Sequence, residues 1–130
     1  MQHVTPRSWS LAILVPIVLA LSSAPSSAQG SNGCATATPI AGLGTFNVTT
    51  VGATDSTQQT GACPTAHCDV WFLWTAATTG TFEVSLCGGV AGADTVLAVY
   101  PGPACPSAGT QLACNDDTCG NESQVDFDAV

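Results

Sequence analysis

Hydrophobic and polar residues alternate along most of the second half of the chain. Over Asp94–Tyr100, Thr95, Leu97 and Val99 share one parity, while Asp94, Val96, Ala98 and Tyr100 share the other. That period of two is the signature of a strand. Thr81–Cys87 repeats it with Phe82, Val84 and Leu86 inward and Glu83 and Ser85 outward. Ser123–Ala129 repeats it again, with Val125, Phe127 and Ala129 set against Asp126 and Asp128. Thr45–Val51 carries Phe46, Val48 and Thr50 on one side, which predicts a further strand. Asp69–Thr75 (DVWFLWT) is apolar on both faces and predicts a central strand covered on both sides, or one with a face awaiting a partner, forming a hairpin with Thr81–Cys87. Gly52–Ala62 is polar and reads as a long surface loop. No later segment holds a helical period, and Gly/Pro turns separate the strands. The expected fold is an all-β antiparallel β-sandwich.

The first 28 residues break this pattern. Arg7 precedes an apolar run, Leu11–Leu21, that is short for a membrane-spanning helix, and Ser26-Ser27-Ala28 supplies small residues for cleavage. Residues 1–28 are therefore expected to be a signal peptide and 29–130 a single β-sandwich module, secreted or held at the cell surface. Behind such a leader, the seven cysteines (Cys34, Cys63, Cys68, Cys87, Cys105, Cys114 and Cys119) read as an oxidised, disulfide-stapled framework. An odd number leaves one thiol without a partner in the chain.

Charge narrows the function. Arg7 is the one Lys or Arg in the chain, against nine Asp and Glu. Nucleic-acid binding needs Lys and Arg to neutralise phosphates, so it is excluded, and anionic membrane surfaces are disfavoured after leader removal. A clustered carboxylate beyond residue 28 must find backbone donors, hydroxyls, His67 or a cation.

Catalysis finds little to work with. His67 is the one histidine after the leader, and there is no G-x-S-x-G elbow, catalytic lysine or phosphate loop. The chain is read as a non-enzyme. Cys63, His67 and Cys68 are residue types that zinc accepts, but a second knuckle is missing. A Cys63–Cys68 bridge, or bridges from these cysteines to other strands, is the competing reading. Calcium, which takes six to eight oxygens, is the sharper candidate. Asn115, Asp116 and Asp117 are consecutive, and Asp94 heads the preceding strand. The alternative is an Asn-Asp turn capping its own backbone. Trp71 and Trp74 have opposite parity, so one of them is a candidate stacking platform for a sugar unless both faces of their strand are covered. Asn47-Val-Thr49 and Asn121-Glu-Ser123 match the glycosylation sequon.

Several blocks together carry a resemblance: Cys34-Ala-Thr-Ala-Thr-Pro-Ile40, Asp69-Val-Trp-Phe72, Thr79–Gly88, Asp94-Thr-Val-Leu-Ala-Val-Tyr100 and Cys114-Asn-Asp-Asp-Thr-Cys-Gly120. The chain resembles secreted bacterial β-sandwich modules related to the pre-peptidase C-terminal domain, and more loosely CUB domains. The resemblance implies a jelly-roll-like, non-catalytic module that binds an extracellular protein or polysaccharide. It implies Cys87–Cys119 and Cys105–Cys114 bridges, with Cys34, Cys63 and Cys68 competing for the third. It also implies a further strand after Ala129 that this sequence does not contain; truncation or a fragment of a longer protein is the simpler reading, and a chain that ended at Val130 would leave a sheet edge or core slot open to another chain.

Overall fold

The computed structural model describes residues 8–14, 30–58, 61–64, 66–89 and 93–130. Its strands are β1 (Ser8–Leu14), β2 (Thr38–Ala41), β3 (Val70–Thr75), β4 (Gly80–Ser85), β5 (Val96–Pro101), β6 (Ala113–Asn115) and β7 (Gln124–Ala129). A 3₁₀ turn, Cys34–Thr36, leads into β2. The fold is all-β, in two sheets: a five-stranded sheet in the order β2-β3-β1-β5-β6, and a two-stranded sheet of β4 and β7.

The two sheets share one core. Leu11, Val70, Phe72, Trp74, Leu97 and Val99 of the large sheet pack against Val125 and Phe127 of the small one, with Phe82 and Val84 at the margin. The parities read from β4, β5 and β7 are the observed ones. On β4 and β7 the outward residues Thr81, Glu83, Asp126 and Asp128 are exposed, so that sheet has one wet face.

The far face of the large sheet is covered as well. Ala12, Cys34, Trp71, Ala98 and Tyr100 form a second buried cluster, flanked by Ala37, Cys63 and Cys105. This double cover explains why β3 and β5 are apolar at both parities. It also corrects the sugar-platform reading: Trp71 is 0% and Trp74 9% exposed, so neither offers a free ring face.

Four expectations about local structure change. The predicted hairpin does not form, because β3 and β4 lie in different sheets and β4 pairs with β7. The turn after β3 carries the chain across the core, which lets both strands bury an apolar face. Thr45–Val51 forms no ladder, although Val48 still packs on the core and Thr50 is buried. The strand in that region is β2, which runs parallel to β3 and makes the sheet mixed. Pro39 fits there because β2 is an edge strand. Finally, Ser8–Leu14 of the expected leader is a central strand, antiparallel to both β3 and β5. The proposed cleavage site at residues 26–28 lies outside the described residues.

Three disulfides tie this frame together: Cys34–Cys105, Cys63–Cys114 and Cys87–Cys119, with Cα separations of 5.6, 5.7 and 6.0 Å. Cys87–Cys119 is one of the two bridges that the resemblance implied. Cys105–Cys114 and the local Cys63–Cys68 bridge do not form. Cys34 and Cys105 instead meet over the Trp71–Tyr100 face, and Cys63 reaches β6. Cys68 is the free, exposed thiol. It sits at φ 60°, held by its backbone N–H to Asp55 Oδ1 at 2.8 Å. No helix among the described residues is long and apolar enough to cross a membrane.

Candidate metal centre

β5 and β6 pair antiparallel with Leu97 opposite Asn115. Extending that register past the strand ends sets the segment before Val96 against the segment after Asn115. Asp94, Asp116 and Asp117 therefore converge, with one carboxylate oxygen from each lying within 4.8 Å of the others. Asp94 and Asp117 are exposed and Asp116 is half-buried.

Two buried hydroxyl residues hold this arrangement. The Ser123 hydroxyl lies between the carbonyl oxygens of Thr95 and Asp116, the latter at 2.6 Å, and accepts from Thr95 Oγ1 at 3.2 Å. The Ser123 backbone N–H donates to Thr95 Oγ1 at 2.9 Å, and the Thr95 N–H donates to the Asn121 carbonyl at 2.9 Å. Thr95 adjoins Asp94, so this cluster pins both sides of the acidic group. The sequence reading missed Thr95 and Ser123 as positioning residues. Their parity carried the signal: each lies on the inward side of its strand, where a small hydroxyl must find a partner.

Asn115 does something else. Its Oδ1 accepts from the backbone N–H groups of Thr118, at 3.1 Å, and Gln124, at 3.2 Å. Both lone pairs are engaged, so Asn115 shapes the turn, as the capping alternative expected, and the three carboxylates are left as the candidate ligands. Cys87–Cys119 closes the same end of the molecule, and the Gly88 N–H donates to Glu122 Oε2 at 2.6 Å.

Electrostatics at this end are unbalanced. Loss of water around Asp116, followed by repulsion from Asp117 and Asp94, raises its pKa above the ordinary aspartate value. Asp55 goes the other way: hydrogen bonds from His67 and from the Cys68 N–H lower its pKa. His67 Nδ1 lies 2.9 Å from Asp55 Oδ2, with both side chains largely exposed. The zinc constellation does not assemble, since Cys63 is bonded to Cys114.

The other candidate residues have structural partners. The Trp71 indole N–H donates to Asp69 Oδ2 at 2.7 Å, and the Trp74 indole N–H to the Gly42 carbonyl at 2.9 Å. Beside Trp74, Ile40, Leu43, Phe46 and Phe82 border an apolar cleft of about 360 Å³. Comparison with family models, curated proteins and solved structures finds no match to this chain.

Proposed function

We propose that this chain is a secreted, non-catalytic β-sandwich module for protein binding or adhesion outside the cell, with calcium stabilising its acidic end. The observation that carries this reading is the meeting of Asp94, Asp116 and Asp117 in a chain with no Lys or Arg after Arg7. Three carboxylates at this range repel one another, and a divalent cation turns that repulsion into attraction. Backbone carbonyls and water complete an oxygen shell of the kind calcium takes. Disulfides of this density belong to oxidising compartments, which accords with export. The sugar-binding alternative loses its platform with the burial of Trp71 and Trp74.

Thermal unfolding tests the metal. At an affinity typical of extracellular calcium modules, millimolar calcium raises Tm by roughly 5–15 °C. Asp117→Asn removes most of that shift. Asp116→Asn removes it too, and in EDTA at neutral pH it raises Tm slightly, because the repulsion is gone. An unchanged Tm in calcium for the native chain contradicts the reading.

The pH dependence follows in sign. The Asp116 pKa is raised in the folded state, so its protonation favours the fold. In EDTA this stability contribution is fully present below the ordinary aspartate pKa. It is lost as pH rises through the raised value. The Asp116→Asn chain lacks this component, and urea titrations of the two proteins from about pH 3 to about pH 7 measure the difference.

A further inference from the structure

The small sheet leaves one edge of the sandwich open. Among the described residues, β4 has β7 as its one ladder partner. The Leu86 N–H donates to the Ser123 carbonyl at 2.9 Å, which continues the β4–β7 register past Ser85 and Gln124. Backbone groups alternate sides along an antiparallel strand, so Phe82 and Val84 turn theirs to β7, and Thr81, Glu83 and Ser85 turn theirs outward. Among the described residues, those outward N–H and C=O groups meet no partner. The remaining edges are closed or short. β2 carries Pro39, β6 has three residues, and the Gln124 N–H of β7 is taken by Asn115 Oδ1.

That edge runs beside the apolar cleft. Glu83 and Ser85 border the cleft together with Phe82, although their side chains belong to the wet face, so the opening follows the backbone of β4. Leu43 and Phe46, 82% and 38% exposed, border it too, while buried Trp74 lines it from the core. On the wet face the charge is one-sided. Glu83 stands opposite Asp126, Asp128 stands opposite Thr81, and all three acids are exposed. Their partners there are neutral donors: Gln124 Nε2 reaches Glu83 Oε2 at 2.9 Å, and the Thr81 hydroxyl donates to Asp128 Oδ1 at 2.7 Å. Like charges directly opposite on neighbouring strands destabilise a sheet, and no Lys or Arg follows Arg7 to offset them.

From these features we infer that the outer edge of β4 is a docking site for an extended peptide segment in which Lys or Arg alternates with large apolar residues. The unpaired N–H and C=O groups select a strand, and main-chain pairing supplies the affinity. The two faces of the docked strand then meet different surfaces. Its apolar side chains enter the cleft and cover Leu43 and Phe46. Its basic side chains lie on the wet face beside Glu83 and offset the repulsion between Glu83 and Asp126. A second copy of the chain does not fit this description, because it brings more carboxylates to the same face and has Arg7 as its one Lys or Arg. The inference rests on the protein-binding reading, gives the partner its chemistry, and needs no calcium.

The test titrates the full chain, in EDTA and about 0.15 M salt, with a short synthetic peptide in which Lys and Ile alternate, and follows binding by calorimetry. The peptide should bind at one site per chain. A peptide of the same composition with Lys gathered at one end and Ile at the other should bind about tenfold more weakly, and so should an alternating peptide with Glu in place of Lys. Glu83→Pro removes an outward N–H while sparing the ladder to β7, and should weaken the alternating peptide by about tenfold. Glu83→Gln keeps the edge and should weaken it by about threefold. Leu43→Ser should weaken it as well, and if Glu83→Pro melts early, this change at a highly exposed position decides the location instead. The inference is overturned if the alternating peptide does not bind, or if the block peptide binds equally well. Dimerisation of the chain that Glu83→Pro abolishes also overturns it, since the occupant is then a second copy. Binding that survives both Glu83→Pro and Leu43→Ser lies on another surface: it overturns this site and leaves the protein-binding reading standing. Calcium is absent throughout, so the melting shift in calcium tests the rest of that reading separately.

Discussion

Replacing Cys34 and Cys105 together by alanine should lower stability by about 4 kcal/mol, the entropy cost of releasing a loop of 71 residues. For a domain of this size, that is a fall in Tm of about 20 °C. The effect should exceed that of removing Cys87–Cys119, which closes a shorter loop of 32 residues. The reason is partly local. Cys34 is 5% exposed and packs with Trp71 and Tyr100, so its loss also opens the outer cluster. Urea unfolding of the two double variants measures both numbers. Equal and small losses would show that packing alone holds β3 and β5 together.

Asp69→Ala should cost about 3 kcal/mol, because it strands several buried donors at once. Asp69 is 0% exposed. Its carboxylate accepts from the Ser56 N–H at 2.6 Å, from the Ser56 hydroxyl, and from the Trp71 indole N–H at 2.7 Å. With no Lys or Arg beyond Arg7, these donors are its compensation for burial. The carboxylate thereby joins the long loop before Cys63 to β3 and fixes the Trp71 ring against the outer cluster. Asp69→Asn keeps the shape but turns one acceptor into a donor, and should fall between alanine and the native residue. Ser56→Ala should cost less than either, since the backbone N–H still reaches Asp69. Equilibrium unfolding ranks the three, and a neutral Asp69→Ala would remove this network from the account.

The strands with one wet face were legible because a period of two survives only when one side is dry. Phe82, Val84, Val125 and Phe127 point to the core as their spacing predicts. The partners of those strands were not legible. Whether the turn after Thr75 folds back in one sheet or crosses to the other depends on which faces the rest of the chain covers, and nothing in the turn itself encodes that. The same distance from local sequence hid the disulfides, since Cys34 and Cys105 meet only after β3 and β5 have been set on either side of β1. The odd cysteine count meant that one thiol lacked a partner in the chain, but only the positions of the other six identify it as Cys68.

Ser8–Leu14 shows the limit from the other side. A short apolar run fits a leader and a buried strand equally well, and periodicity cannot separate them. At the acidic end, the residue types pointed to Asp94, Asp116 and Asp117, and the β5–β6 register brings them together. Asn115 looked like a fourth ligand because amide oxygens bind calcium, yet the same oxygen is what two turn N–H groups need.

The central claim is that the three carboxylates form a calcium site, and calorimetric titration of the metal-free protein with calcium tests it most directly. The account predicts one site per chain, with affinity falling as the solution is acidified and protons compete for Asp116, and no measurable heat in the Asp116→Asn, Asp117→Asn double variant. A native protein that gives no binding heat at millimolar calcium, or a double variant that binds as the native chain does, would contradict it.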